Sequence, residues 1–192
     1  MRRTKRNTVR IIGGVWRSRI LDFPDALDLR PTPDRVRETL FNWLGQDLSG
    51  RTCLDLFAGS GALGFEALSR GAASVVMVEK DPAVLRALRD SAQKLGARNL
   101  TVVRGDALEF ARESRARFDV VFVDPPYRQS LQTAALALVR GLLSERGRVY
   151  VESASALEAP GWTVLKRARA GNVHFHLLAG GTDDQGGVSG HV

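Results

Sequence analysis

The sequence predicts an α/β domain whose mostly parallel sheet of seven strands ends in an antiparallel hairpin. After Gly50, apolar runs typical of buried strands alternate with segments of helical periodicity, as in a parallel sheet covered by helices on both faces. Near the C-terminus, two strand-like runs are separated only by Ala170-Gly171, and so short a connection requires antiparallel neighbours. A chain of 192 residues is long enough for one such domain with a substantial core.

The N-terminal part of the sequence predicts a small extension made of a β-hairpin and a helix. From about Val9 to Leu21, two strand-like runs flank Gly13-Gly14. The stretch Asp25–Pro33 has the composition of a connector. We expect Thr32 to be the N-cap of an amphipathic helix Pro33–Leu44, with the proline at the first helical position.

The elements of the main domain follow from the period of the apolar residues and from the glycines that end the helices. The predicted elements are strand Thr52–Phe57, helix Ala62–Ser69, strand Ser74–Glu79, helix Pro82–Leu95, strand Leu100–Arg104, strand Phe118–Asp124, helix Ser130–Leu143, strand Arg148–Glu152 and the hairpin strands Trp162–Arg169 and Asn172–Leu178. We expect three regions: a basic arm and hairpin in 1–29, the main domain in 30–179 and a Gly-rich, disordered tail in 180–192.

The positive charge is concentrated at the N-terminus. The formal net charge is +7, from 28 basic and 21 acidic residues. Residues 1–19 contain seven basic residues and no acidic one, so the rest of the chain is neutral in sum. A basic arm on a neutral body predicts a polyanionic partner bound through its phosphates, although a solvated, frayed tail would also explain residues 1–7.

The composition excludes several classes of protein. Hydrophobic residues at 44% and charged residues at 26% are typical of a globular chain. No apolar run approaches the ~18 residues of a membrane span, and no secretory signal pattern follows the basic N-terminus. Cys53 is the only cysteine, which excludes an intramolecular disulfide and a cysteine-rich metal site. We expect a cytoplasmic protein without a membrane partner.

A glycine-rich loop after the first strand of the main domain predicts a cofactor site. The segment Asp55–Gly61 leads into Gly64 with the spacing of the dinucleotide fingerprint, and Glu79 ends the next strand, where its carboxylate can accept both ribose hydroxyls. A tight turn that binds nothing is the alternative. The predicted cofactor-binding residues are Asp55, Phe57, Ala58, Gly59, Ser60, Gly61, Glu79, Lys80, Asp106, Ala107 and Asp124.

The charge beside this loop favours one cofactor over another. Asp55 directly precedes the loop and would repel a pyrophosphate, which needs the backbone N–H groups of the following helix. S-adenosylmethionine has no phosphate, and a carboxylate favours its ammonium and sulfonium groups. Asp106, after the third strand, could accept a hydrogen bond from the adenine amino group, although a helix cap explains it almost as well. Acids after three successive strands therefore favour S-adenosylmethionine over NAD.

The segment Asp124-Pro125-Pro126-Tyr127 predicts the catalytic site, because it follows the fourth strand at the edge where open α/β sheets bind ligands. An exocyclic amine of a nucleobase is a poor nucleophile, since its lone pair is delocalised into the ring. Asp124 and the Pro125 carbonyl can accept its two N–H bonds, and Tyr127 can stack on the base. Such a base must be unpaired or flipped out of a helix. Asp124 as acceptor of the departing proton is a further hypothesis.

These segments resemble a known family. Asp55–Gly61 and Asp124–Tyr127 are similar to motifs I and IV of class I amino-methyltransferases, whereas Arg10–Leu21 and Arg30–Leu44 resemble the opening of the RsmD family. The resemblance extends from about Arg10 to Leu178, with Ser18 and Ile20 as departures in the hairpin that leave its RNA contacts open.

The resemblance implies a Rossmann-like class I methyltransferase fold, S-adenosylmethionine as cofactor, no metal, and methylation of a guanine N2 in small-subunit (16S) ribosomal RNA within an assembled subunit or its precursor. We expect a monomer. The expected RNA-binding residues are Arg10, Trp16, Arg17, Arg19, Arg30, Thr32, Arg35, Arg37 and Arg128. A helix cap with solvated arginines is an equally good explanation of Arg30, Thr32 and Arg35.

Two other functions stay open at this point. An adenine-N6 nucleic-acid methyltransferase would have the same two motifs, but such DNA enzymes usually carry a separate target-recognition domain. A non-catalytic RNA-binding or assembly factor could have the same fold, but it would not need acids at all three cofactor positions. The Asp124-Pro125-Pro126-Tyr127 segment makes an NAD-dependent oxidoreductase a remote alternative.

Overall fold

The computed structural model of the protein describes residues 6–25, 31–126, 131–155 and 157–180. In chain order, these segments form β1 (Arg6–Arg10), β2 (Ile20–Pro24), α1 (Asp34–Leu44), β3 (Thr52–Asp55), α2 (Ala62–Ser69), β4 (Ser74–Glu79), α3 (Pro82–Leu95), β5 (Leu100–Arg104), α4 (Ala107–Glu113), β6 (Phe118–Val123), α5 (Gln132–Val139), β7 (Leu143–Ser153), β8 (Trp162–Ala170) and β9 (Val173–Gly180). A 3-10 helix, Arg140–Leu142, joins α5 to β7.

The main sheet has seven strands in the order β5-β4-β3-β6-β7-β9-β8. The strands from β3 to β7 pair in parallel, and β9 pairs antiparallel with both β7 and β8. Because β8 and β9 are joined by a tight turn at Gly171, they can only pair antiparallel. The predicted fold class is confirmed.

The sheet separates two apolar clusters. Alternation along β6 places Val120 and Phe122 in one cluster and Val121 and Val123 in the other. The first cluster contains buried side chains of α1, α2 and α3, and the second contains those of α4 and α5. Such two-sided burial explains why the parallel strands are almost continuously apolar.

The N-terminal hairpin differs from its prediction in register. Its strands pair from Arg6 opposite Pro24 to Arg10 opposite Ile20, so residues 11–19 form the loop and Gly13-Gly14 lies inside that loop. The physical reason is that the loop backbone binds α2 instead of a second strand: the N–H groups of Ile12 and Gly13 donate to the Glu66 carboxylate. Four hairpin side chains belong to the first apolar cluster: Val9, Ile11, Leu21 and Phe23.

At the helix starts, one local prediction was wrong and one helix was missed. Pro33, not Thr32, occupies the N-cap position of α1, with no side-chain capping bond, because the Thr32 hydroxyl is used elsewhere. Helix α4 was not predicted, but the helix cap that was the alternative explanation of Asp106 is present: its carboxylate accepts hydrogen bonds from the N–H groups of Leu108 and Glu109. The seven residues of α4 are too short to display a clear helical period.

Other boundaries shifted by a few residues. The predicted last helix ends as an α-helix at Val139, and β7 begins at Leu143 rather than at Arg148. Gly180, assigned to the tail by prediction, closes β9; residues 181–192 lie outside the described residues. No helix in the described part of the chain has the length and apolar character of a membrane span.

Candidate cofactor and catalytic site

Four acidic residues stand in a row at the carboxyl edge of the sheet. Asp55 ends β3, Glu79 ends β4, Asp106 follows β5 and Asp124 follows β6. Because these four strands are adjacent and parallel, in the order β5-β4-β3-β6, their carboxyl ends meet at one edge. The structure thus brings together the strand-end acids that the sequence predicted as one site.

The loop between β3 and α2 requires glycine for two different reasons. Gly59 and Gly61 have positive φ values of 50° and 75°, a region that other residues adopt only at a cost. A Cβ on Gly61 would also lie 2.6 Å from Leu88 Cδ2, and a Cβ on Gly64 would lie 2.4 Å from Met77 Cε. The loop is therefore packed tightly from below, which fixes its backbone facing the edge of the sheet.

Asp55 is buried beneath the loop, with 2% of its surface exposed. Its Oδ2 accepts a hydrogen bond from the N–H of Gly64 at 3.0 Å, in the first turn of α2. Burial raises the pKa of the Asp55 carboxyl to about 7, with a smaller contribution from the charge of Glu79, while the Gly64 N–H acts in the opposite direction. A carboxyl group already occupies the amide that a phosphate would use, so the site disfavours a pyrophosphate.

Glu79 forms hydrogen bonds with both the loop after β3 and the loop after β4. Its Oε2 accepts from the N–H of Gly59 at 3.0 Å, and its Oε1 accepts from those of Lys80 and Asp81 at 2.8 and 2.9 Å. The side chain is half-buried, and carboxylate oxygens can accept more than one hydrogen bond each. It can therefore shape the loop and bind hydroxyl groups at the same time.

Asp124 lies at the centre of a second set of contacts. The Thr32 hydroxyl is 3.2 Å from Asp124 Oδ2 and 2.9 Å from Glu152 Oε1. Tyr150 donates its hydroxyl to the same Glu152 oxygen at 2.7 Å. Burial, followed by the charges of Glu152 and Asp55, raises the pKa of Asp124 well above its usual value, and the bond from Thr32 lowers it. A single threonine hydrogen thus stands between two carboxyl groups.

Glu152 is a site residue that the sequence reasoning missed. It is 1% exposed and lies near the end of β7, the strand beside β6, so it belongs to the same carboxyl edge as Asp124. The predicted strand Arg148–Glu152 already ended on this acid. The rule that selected Asp55, Glu79 and Asp124 could therefore have found it.

The rest of the predicted catalytic segment is only partly described. Pro125 is buried and Pro126 is exposed, while Tyr127 lies outside the described residues. Among the other predicted cofactor residues, Ala58, Gly59, Ser60, Gly61 and Ala107 are buried, Phe57 is half-buried and Lys80 is exposed. The roles assigned to all of these residues stay predictions.

One predicted RNA contact needs correction. Arg37 is fully buried, donates to Glu66 Oε2 at 3.2 Å and to the backbone oxygens of Thr32 and Arg10 at 3.1 and 2.8 Å, and cannot reach an RNA. Asp34 and Glu66 form ion pairs with it.

The remaining predicted RNA contacts are accessible or undescribed. Arg10, Arg17, Arg19 and Arg35 are exposed and Trp16 is half-buried, although Arg10 forms an ion pair with Asp34 at 3.1 Å. Thr32 is only 5% exposed and its hydroxyl contacts carboxyl groups, so its predicted contact with RNA stays a prediction. Arg30 and Arg128 lie outside the described residues.

The acidic side chains of the site match a cofactor that carries positive charge and hydroxyl groups instead of phosphate. Carboxylates on four adjacent strands suit an ammonium, a sulfonium and a ribose, and the buried Asp55 opposes a pyrophosphate. In the described part of the chain, no group of three or more His, Cys, Asp or Glu side chains could hold a metal ion. A mostly parallel sheet with this loop after β3 and with Asp-Pro-Pro-Tyr after β6 is typical of the class I S-adenosylmethionine-dependent methyltransferases.

Comparison with known proteins defines the family within this class. The profile of the family described as conserved hypothetical protein 95 matches residues 9–179. Ribosomal RNA small subunit methyltransferase D of Escherichia coli (strain K12) is 44% identical over 175 residues, which cover 88% of each chain. The structure of yhhF from Escherichia coli has a TM-score of 0.82 at 42% identity and covers 91% of this chain and 99% of that chain. The chain belongs to this family, the RsmD family of methyltransferases.

A more distant structure shares the fold. The Thermus thermophilus 16S rRNA N2 G1207 methyltransferase (RsmC), in complex with AdoMet and guanosine, superposes with a TM-score of 0.71 at 24% identity. The superposition covers 93% of this chain and 50% of that chain. The fold described above therefore recurs in a protein that binds both a methyl donor and a guanine nucleoside.

Proposed function

We propose that this protein transfers a methyl group from S-adenosylmethionine to the exocyclic N2 of a guanine in small-subunit ribosomal RNA. The observation that carries the proposal is the position of Asp124, directly beside the glycine loop, in a chain 44% identical to an enzyme named ribosomal RNA small subunit methyltransferase D. The product of the cofactor is S-adenosylhomocysteine.

The chain's own residues act mainly by positioning the amine. Asp124 and the Pro125 carbonyl accept the two N–H bonds of the guanine amine, which directs its lone pair out of the ring plane. The prolines limit the motion of these acceptors, and Tyr127 stacks on the base. Correct positioning of two reactants can contribute roughly 7–11 kcal/mol to lowering a barrier. S-adenosylmethionine, when bound, supplies an electrophilic methyl group.

The same edge of the sheet holds the cofactor. Glu79 binds the ribose hydroxyls, Asp106 accepts from the adenine amino group, and Gly59 and Gly61 let the backbone approach the ligand. Asp55 shapes the loop from below and opposes phosphate ligands.

The RNA is held by the N-terminal hairpin. Arg17 and Arg19 lie exposed in its loop, and Trp16 of the same loop is half-buried against the first apolar cluster, with its backbone N–H donating to Ser69 of α2. Phosphate contacts of this kind supply affinity and orientation, not choice of sequence. We expect the substrate to be an assembled small subunit or its precursor, bound by a monomer in the cytoplasm.

Guanine N2 is favoured over adenine N6 by the upstream block. Arg30–Leu44 resembles the RsmD family rather than adenine-N6 enzymes, and the more distant RsmC is named as an N2 enzyme bound to guanosine. A non-catalytic assembly factor is disfavoured because the acids at the three cofactor positions are all present at one edge.

The test uses purified protein, tritiated S-adenosylmethionine and small ribosomal subunits from cells that lack the enzyme. We expect label in N2-methylguanosine after the RNA is digested to nucleosides. Asp124→Asn should lower the rate of transfer by on the order of a hundredfold or more while cofactor affinity, measured by calorimetry, stays within a few-fold. Label in N6-methyladenosine or in protein would contradict the substrate, and an active Asp124→Asn would contradict the assigned role.

A further inference from the structure

A second charged surface lies at the edge of the sheet opposite to the acids. A groove of about 270 Å³ opens there, and we name it the basic groove. Arg51 precedes β3, Asp119 is near the start of β6, and Arg146 and Arg148 lie in the first part of β7. Because these strands are parallel, their amino ends are on the far side of the sheet from Asp124. Lys166 of β8 completes the charged lining.

The positive charges of the basic groove outnumber the one carboxylate in its lining, Asp119, whose pKa the charge of Arg51 helps to lower. Arg51, Arg146 and Lys166 are exposed and Arg148 is half-buried. Within the described residues, none of the four takes part in an ion pair. Asp119 is the one carboxylate among the lining residues, and it already accepts hydrogen bonds from Thr52 and Ser144.

Four cations around one groove repel one another, and a polyanion would relieve that repulsion. Three of the four are arginines, whose planar guanidinium matches phosphate oxygens in pairs. The charges beyond residue 19 sum to zero, but opposite charges are separated in space. The acids of the site lie at the carboxyl edge of the sheet, and these cations lie at the amino edge.

We propose that the basic groove is a second RNA-binding surface, which holds a phosphate backbone distant from the nucleotide that enters the catalytic site. The identity of the polyanion as ribosomal RNA rests on the proposed function. An RNA that reaches both edges of the sheet must be large or folded, which fits an assembled particle better than a short single strand. An acidic protein segment is the competing occupant.

The test neutralises the groove and measures the salt dependence of RNA binding. The variant Arg51→Gln/Arg146→Gln/Lys166→Gln is titrated with a fluorescein-labelled RNA stem-loop by anisotropy at several KCl concentrations. Each lost phosphate contact lowers the slope of log K against log salt by about 0.7–0.9, so we expect a slope smaller by about 2 and an affinity loss on the order of tenfold. Cofactor affinity should not change. Arg86→Gln/Arg89→Gln/Arg112→Gln, three exposed arginines on α3 and α4, is the control with equal charge.

A groove variant with the slope and affinity of the wild type would overturn the proposal, as would an equal loss in the control. Unchanged RNA binding together with lost binding of poly-L-glutamate would assign the groove to an acidic protein instead. The measurement needs no methyl transfer, so a failure of the proposed activity would not affect it.

A second inference comes from the bridge between two carboxyl groups. The Thr32 hydroxyl has one hydrogen but approaches oxygens of both Asp124 and Glu152, at 3.2 and 2.9 Å. It can donate to only one of them at a time, so the two carboxyl groups share one donor. Glu152 is 1% exposed, and Tyr150 also donates to it.

We infer that Glu152 is a positioning residue that acts through Thr32 on Asp124 and sets the pH above which Asp124 can accept the N–H bonds of the substrate amine. This inference rests on the proposed function for the amine. The titratable groups that act on Asp124 from packed elements are Glu152 of β7 and Asp55 of β3, with the Tyr150 hydroxyl beyond Glu152.

Two variants should shift the acid limb of the profile of methyl-transfer rate against pH in opposite directions. Glu152→Gln removes a negative charge and lowers the pKa of Asp124, so the limb moves to lower pH. Thr32→Val removes a hydrogen bond that favours the ionised form, so the limb moves to higher pH, and Thr32→Ser restores it.

A uniform loss of rate without a shift of the limb would show a merely structural role and overturn the inference. The same ionisation is measured without any activity by carbon-13 NMR of the labelled aspartate carboxyls. Absence of methyl transfer by the wild type would contradict the proposed function, whereas an unshifted Asp124 resonance in both variants would contradict the inference.

Discussion

At the residue scale, the chemistry of this site is carried by acids whose environments differ sharply. Asp55 is buried against the first turn of α2, Glu79 is half-buried and binds backbone N–H groups, and Asp106 is exposed as a helix cap. Acidic side chains therefore have three different roles at one edge of the sheet, because solvent access and hydrogen-bond donors differ from strand to strand.

Asp55 should make the stability of the protein depend on pH. Its pKa is near 3.8 in an unfolded chain and about 7 in the folded protein. Between these values the folded state holds a proton that the unfolded state has released, so stability falls as pH rises through this window. The difference in free energy of unfolding, Asp55→Asn minus wild type, should therefore increase by a few kcal/mol from about pH 4 to about pH 7.

Urea unfolding at several pH values measures this difference. Asp47→Asn is the control, because hydrogen bonds from Ser49 lower the pKa of that exposed carboxyl and its contribution is constant above about pH 4. A difference between Asp55→Asn and the wild type that does not vary with pH would refute the raised pKa of Asp55.

The residues of the site were predictable where they follow strands, and not where they depend on distant partners. Asp55, Glu79 and Asp124 could be placed at one edge because the end of a buried strand can be read from local sequence. The contact of Thr32 with Glu152 joins residues 120 apart, and the burial of Arg37 depends on Glu66, 29 residues away. No local pattern encodes such pairs, so Thr32 was predicted as a helix cap and Arg37 as an RNA contact.

At the element scale, the N-terminal hairpin is held to the sheet domain by a buried polar network. Glu66 of α2 is fully buried and accepts hydrogen bonds from Arg37, Arg70 and the N–H groups of Ile12 and Gly13. A buried arginine needs such a partner because an unpaired charge is expensive to desolvate. This network orients the hairpin loop relative to the catalytic edge.

Glu66→Gln should therefore destabilise the protein by about 3 kcal/mol or more, because it leaves the buried Arg37 short of negative charge. Denaturant unfolding gives the loss, and trypsin cleavage after Arg17 and Arg19 should become faster as the loop detaches. Glu38→Gln, on the exposed face of α1, should have little effect. If Glu66→Gln and Glu38→Gln were equally stable, the network would not be what holds the hairpin.

The hairpin loop also carries the proposed RNA contacts of this element. Arg17→Gln/Arg19→Gln should reduce the salt slope of RNA binding by about 1.5, since two phosphate contacts are lost. Removing the whole segment 1–19 would be a poor test, because Val9 and Ile11 are buried in the core. Anisotropy titrations with the double variant measure the slope, and an unaltered slope would mean that the loop does not touch phosphate.

At the scale of the whole molecule, the parallel part of the sheet and its antiparallel end could be predicted, but the core that the hairpin shares with the sheet could not. Alternating strands and helices indicated a parallel sheet, and the hairpin β8–β9 indicated its antiparallel end. The sequence divided residues 1–29 from the domain that follows, because a charge boundary is visible in sequence. The burial of Ile11 and Phe23 in one cluster with Phe41 and Phe65 depends on the folded chain alone.

This shared core predicts that the hairpin and the sheet domain unfold together. Ile11 is fully buried, so Ile11→Ala should cost about 2–5 kcal/mol, and the melting temperature should fall by roughly 2–4 °C for each kcal/mol. Val15→Ala is the matched control in the same loop, because Val15 is 82% exposed and its truncation should be nearly neutral. Circular dichroism and tryptophan fluorescence should report one coincident transition for both variants. A separate early transition of the hairpin, with the main melt unchanged, would instead mean that the hairpin is an independent module whose RNA affinity could be altered without any effect on the methyltransferase core.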